Sequence, residues 1–89
     1  MDKVDEKYDD IHRIISSQAG VKMRMNSHKG NIEDVDPQQL IEALRSEVDE
    51  LEWAIKEGDM MHIVEESSDV FNFLVAITYQ QVTLYRRRK

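Results

Sequence analysis

Two acidic pairs stand out in this sequence, Glu47 with Glu50 and Glu66 with Asp69, each pair three residues apart. Residues three apart on a helix are surface neighbours, so each pair can present two carboxylates to one point. Glu47 falls inside the run Leu40, Leu44, Glu47, Leu51, Ile55, and Glu66 inside Ile63, Glu66, Val70, Phe73, Ile77, both at helical spacing. An acid within an apolar stripe is drawn away from water, and four acids brought together would repel one another. Two like charges ~6 Å apart at an effective dielectric of ~20 repel by roughly 3 kcal/mol, so protons or cations must relieve the cluster. A donor set of carboxylates without His or Cys selects Mg²⁺, Mn²⁺ or Ca²⁺ over Zn²⁺, and Mg²⁺ commonly combines a few carboxylates with waters and substrate phosphates. The competing reading is a solvated acidic face, the ordinary fate of Glu on a helix. The matched placement of two pairs argues against it.

That match comes from the elements that carry the pairs. Asp36 and Pro37 mark a helix start, an N-cap followed by a residue whose missing N–H costs nothing in the first turn. Gly58 stops that helix and Asp59 caps the next, which predicts an antiparallel hairpin of residues 37–57 and 60–85. Glu47 and Asp69 are each eleven residues from Gly58, and Glu50 and Glu66 each eight, so all four acids fall at matching heights. At ~1.5 Å rise per residue they lie about 12 to 16 Å from the turn, well inside the hairpin. Upstream, Val4, Tyr8, Ile11 and Ile15 trace the apolar face of an N-terminal helix within residues 1–25, which Ser16, Ser17 and Gly20 are expected to bend or weaken. The polar stretch 26–36 reads as a loop. The expected fold is all-α: one helical domain over residues 1–89, an N-terminal helix plus a helical hairpin, assembling into a four-helix-bundle type of dimer or tetramer.

Composition agrees with that reading. Eighty-nine residues with no Cys, one Pro and three Gly describe a helical chain that must hold together without disulfides or thiolate metal sites. A chain this short buries little of its surface alone, which favours oligomers. The net charge of −6 argues against a nucleic-acid duplex as partner. No signal-like start is present, and the longest uncharged run, residues 70–84, is polar in places and short of a membrane span, so a cytoplasmic location without membrane contact is expected.

Glu47-Val-Asp-Glu50, a fifteen-residue gap and Glu66-Ser-Ser-Asp69 resemble the ExxE…ExxD signature of the MazG-like all-alpha NTP pyrophosphatases. The likeness extends over Leu44 to Trp53, over Asp69 to Asn72, and upstream to Asn26-Ser-His-Lys-Gly30, which is similar to the loop before the hairpin in the phage-like MazG branch. The resemblance implies hydrolysis of a nucleoside triphosphate, often a deoxy form, to the monophosphate and pyrophosphate. It also implies Mg²⁺, with Mn²⁺ able to substitute, held by Glu47, Glu50, Glu66 and Asp69, a dimeric or tetrameric assembly, and a role in nucleotide-pool house-cleaning. Many relatives of this branch carry an aromatic residue just after the His-Lys-Gly element, whereas Asn31 and Ile32 follow here, so nothing about the base is carried over.

Within that scheme Glu50 and Glu66 are the candidate catalytic carboxylates, Glu50 as general base, although spacing does not separate a ligand from a base. Lys29, with Lys22, Arg24 and His28 nearby, can pair with the triphosphate. Asn26, His28 and Asn72 complete the expected substrate contacts, Asn72 bonding either the nucleotide or a carboxylate. His62 is read as a surface partner of an acid, Trp53 as a packing residue, and the terminal Arg86, Arg87, Arg88 and Lys89 as helix-end charge. The alternative function is a non-catalytic helical dimer acting as an interaction or regulatory module, with its acids in water.

Overall fold

The computed structural model describes residues 3–25 and 34–88, with side chains described from Glu6 to Met23 and from Asp34 onward. Three helices follow in order, α1 (Lys3–Met25), α2 (Pro37–Glu57) and α3 (Met60–Arg87), and there is no strand among the described residues. No described helix is long and apolar enough to cross a membrane.

The ends of α2 and the start of α3 are made by local chemistry. The Asp36 carboxylate accepts a hydrogen bond from the Gln38 N–H at 3.1 Å, with Pro37 in the first helical position. At the other end Gly58 takes the left-handed conformation, φ 76°, and its N–H reaches the carbonyls of Ala54 and Ile55. Asp59 immediately caps α3, accepting from Met61 at 3.0 Å and His62 at 3.3 Å. Two helices thus reverse on two residues. α3 runs two residues beyond the expected Tyr85.

α3 is the shared element, packing on α2 along one side and on α1 along another, while α1 and α2 do not pack on one another. The α2 seam is Leu40, Leu44, Glu47, Leu51 and Ala54, at alternating spacings of four and three, and the α3 seam is Ile63, Glu66, Val70, Phe73, Ile77 and Gln80, all buried or half-buried. The expected α2 stripe ended on Ile55, yet Ile55 is exposed and Ala54 is fully buried. A seam that keeps to an antiparallel partner advances by 3.5 residues, so the small Ala54 faces α3 where the turn brings the helices closest.

α1 departs further from expectation. It continues as helix through Ser16, Ser17 and Gly20 without interruption. Tyr8 and Ile11, on its expected inward face, are exposed, and burial is greatest at Ala19. Its docking rests on the second half, where the Asn72 amide donates to the Ala19 carbonyl at 2.9 Å. At the opposite end of the hairpin the fully buried Gln80 donates through Nε2 to the Val35 carbonyl at 2.6 Å, tying the entry to α2 onto α3. The radius of gyration is 15.0 Å, against about 12 Å for a compact chain of this length. Two helices packed on one shared helix leave wide apolar faces uncovered.

Because a Cβ at Gly58 would meet nothing within 4 Å, a side chain there costs only its backbone conformation. Gly58→Ala should destabilise the chain by about 1 kcal/mol, read as a lower denaturant midpoint at unchanged m-value. An unshifted midpoint would contradict the left-handed cap.

Candidate metal centre

The α2 and α3 seams meet at acids. Glu47 and Glu66 occupy seam positions, and Asp69 follows Glu66 by three residues on the side of α3 that turns toward α1. One carboxylate oxygen from each of Glu47, Glu66 and Asp69 lies within 4.8 Å of the others. Glu66 is the most enclosed of the three at 7% exposure, with Glu47 and Asp69 half-buried. Glu50, one turn along α2, is exposed and stands at the rim, near enough to raise the proton affinity of both Glu47 and Glu66. The pairing of heights about Gly58 therefore brings the acids together, as a tight set of three with the fourth beside it.

Burial and mutual repulsion act in the same direction on these groups. The Glu47 carboxyl is pushed up to about 7, first by burial, then by the charges of the neighbouring Glu50, Asp69 and Glu66. Glu66 is also raised, by burial, by Glu50 and by Asp69, with His62 acting the other way. Glu47 Oε2 and Glu66 Oε2 are both buried and lack a hydrogen-bond partner among the described residues. A buried acceptor without a donor is costly, and two of them facing one cluster ask for a shared positive group. A hard divalent cation fits this donor set, because every available ligand atom is a carboxylate oxygen.

Two nitrogen-bearing side chains, Lys22 and His62, reach the edges of the cluster. Lys22, from α1, sets its ammonium 2.8 Å from Asp69 Oδ1 and 3.3 Å from the Glu65 carbonyl, with the Glu65 carboxylate at 3.7 Å. His62 spans two acids: Nδ1 lies 3.2 Å from Glu57 Oε2 and Nε2 3.2 Å from Glu66 Oε1. Its proton affinity is raised, chiefly by the hydrogen bond to Glu57. Asp49, Glu50, Trp53, His62 and Glu66 line a shallow cleft on the Glu50 and Glu66 side of the cluster. Trp53 is 62% exposed, so packing by its own chain is not what holds it.

The other expected contacts separate. Asn72 gives its amide to Ala19 rather than to a carboxylate, and so binds helix to helix. Asn26, His28 and Lys29 lie outside the described residues. The pairing of Lys22 with Asp69 was missed from the sequence, although a signal was there. Ile15, Ala19 and Lys22 continue the four-and-three spacing of α1, so Lys22 interrupts that stripe as Glu47 and Glu66 interrupt theirs. A scan against protein-family models and searches of curated proteins and of solved structures give no match to this chain.

The raised Glu47 makes stability depend on pH. Between the ordinary value near 4.5 and about 7 the folded chain binds more protons at this site than the unfolded chain. Its stabilising contribution is complete below the lower value and is lost as pH rises through the upper one. In chelator-treated protein, melting temperature should fall across that window, and Glu47→Gln should flatten the fall. An equal slope in the variant would assign the pH dependence to other groups.

Proposed function

We propose that this chain is a Mg²⁺-dependent pyrophosphohydrolase that converts a nucleoside triphosphate, deoxy forms included, to the monophosphate and pyrophosphate, in the manner of the MazG-like enzymes its acidic motif resembles. The observation that carries the reading is the three-carboxylate set Glu47, Glu66 and Asp69, with two of its buried oxygens lacking donors. Such an arrangement is costly in a purely structural role and suited to a cation that in turn binds phosphate oxygens. Mn²⁺ would substitute, being another hard cation with the same ligand preference.

Glu47, Glu66 and Asp69 would hold the metal, with Glu50 beside them. Bound there, Mg²⁺ supplies charge neutralisation on the phosphates and a lowered pKa for an attacking water. Glu50 suits the general-base role better than its neighbours because it is exposed at the cleft, where water and substrate arrive, while Glu66 is enclosed. Glu66 is held from behind by His62, which keeps its Oε1 in place. The exposed Trp53 beside the acids offers an apolar wall to the cleft. We place the activity in the cytoplasm, in house-cleaning of the nucleotide pool.

Assembly belongs to the same proposal. Ile11, Ile14 and Val21 on α1, and Leu74, Val75, Tyr79 and Val82 on α3, are exposed in one chain, more apolar surface than three helices of this size can leave wet without cost. Covering these faces with further copies as a dimer or tetramer answers that excess. Sedimentation of the purified chain should show at least a dimer at micromolar concentration; a monodisperse monomer would remove this part.

Two measurements test the site. Thermal unfolding should shift upward with Mg²⁺, by about 2.7 kcal/mol of added stability when free metal exceeds Kd a hundredfold. Glu66→Gln should abolish both that shift and the release of pyrophosphate from a panel of nucleotides, at unchanged helical content. A wild-type chain that hydrolyses no nucleotide with metal present would leave the interaction-module reading instead.

A further inference from the structure

The carboxylate cluster has a cation of its own, delivered from a third helix. Among the described residues Lys22 is the one Lys or Arg in an ion pair with the Glu47, Glu66 and Asp69 set. It is not a loose surface contact. Among its contacts the ammonium meets Asp69 at 2.8 Å and the carbonyl and carboxylate of Glu65 at 3.3 and 3.7 Å, and the side chain is only 23% exposed. Anchors on Glu65 matter because they do not depend on Asp69. A divalent cation drawn to the cluster competes for the Asp69 oxygens and repels the ammonium, yet Glu65 would keep it at the rim.

Polyphosphate arriving at such a site meets a difficulty of charge. The acids repel it, and one metal ion does not neutralise three or four negative phosphate oxygens together with the carboxylates that hold the metal. A second positive group within reach of the metal resolves this, and an ammonium offers three donors in no fixed plane, suited to phosphate oxygens. We propose that Lys22 is a phosphate-binding residue of this site: kept beside the metal ligands by Glu65, it donates to the phosphate oxygens of the metal-bound polyphosphate. The inference rests on the metal-dependent reading given above and adds the residue that discriminates a polyphosphate from the metal alone.

Opposite effects on two ligands distinguish this role from a structural one. A fixed positive charge beside a metal ligand opposes the metal and favours the phosphate, so removing it should split the two affinities. Calorimetric titrations would use wild type, Lys22→Gln and Lys22→Arg, each checked for unchanged helical content and a cooperative melt. The first titrant is Mg²⁺ alone, and the second is inorganic pyrophosphate at saturating Mg²⁺. Lys22→Gln should bind Mg²⁺ as tightly as wild type or several-fold more tightly, and pyrophosphate about tenfold more weakly. Lys22→Arg, which keeps the charge, should restore most of the pyrophosphate affinity. Unchanged pyrophosphate binding in Lys22→Gln overturns the proposal, as does a parallel loss of both ligands, which would mark Lys22 as a packing residue. Wild type that takes up Mg²⁺ but not pyrophosphate overturns the Lys22 role while leaving the metal site standing; wild type that takes up neither overturns the metal reading beneath it.

Discussion

Repulsion among Glu47, Glu66 and Asp69, whose oxygens lie within 4.8 Å of one another, is the force the rest of the chain must hold against. It acts across the α2–α3 seam, where apolar packing would otherwise be continuous. The hairpin resists it by being fixed at both ends. Gly58 and Asp59 close one end with a left-handed cap and an N-cap in adjacent positions, and the buried Gln80 fastens the other to Val35. The acids sit between these fixed points, where opening the seam would unpack both neighbouring turns.

The charges around the cluster divide the work. Burial and mutual repulsion push Glu47 and Glu66 toward the protonated form, while Lys22 pairs with Asp69 and Glu65, and His62 with Glu66 and Glu57. Neither side chain satisfies the buried Oε2 atoms of Glu47 and Glu66. The protein therefore balances the periphery of the cluster and leaves its interior to a proton or a metal ion. In an ordinary buried ion-pair network every carboxylate finds a partner, and these two oxygens have none among the described residues.

α1 enters this balance through its second half. Its first half presents Tyr8, Ile11 and Ile14 to the outside, and its second half supplies Ala19 for the Asn72 bond and Lys22 for Asp69. The attachment of α1 thus lies toward one end of the helix, where Asp69 and Asn72 of α3 meet Lys22 and Ala19. Asn72 and Asp69, three residues apart on α3, reach α1 at positions also three apart, so one face of α3 serves both the docking and the site.

Most of the local structure was legible from residue order alone, because it is set by interactions a few residues long. Asp36, Pro37, Gly58 and Asp59 each determine a helix end through their own backbone preferences, and the spacing of Leu40 to Leu51 and Ile63 to Ile77 determines which sides of α2 and α3 can meet. Equal distances from Gly58 then bring Glu47 to Asp69 and Glu50 to Glu66 by counting. Tertiary structure decided what counting cannot reach. Rotation of α2 about its axis buried Ala54 in place of Ile55 and turned Glu50 to the rim, and the approach of α1 joined Lys22 to Asp69 across 47 residues of sequence. Periodicity fixes a face only to within a residue, and the angle that remains is chosen by packing summed along the whole interface. The two acidic pairs were written in the sequence; their inequality, three gathered and one beside them, was settled by that angle.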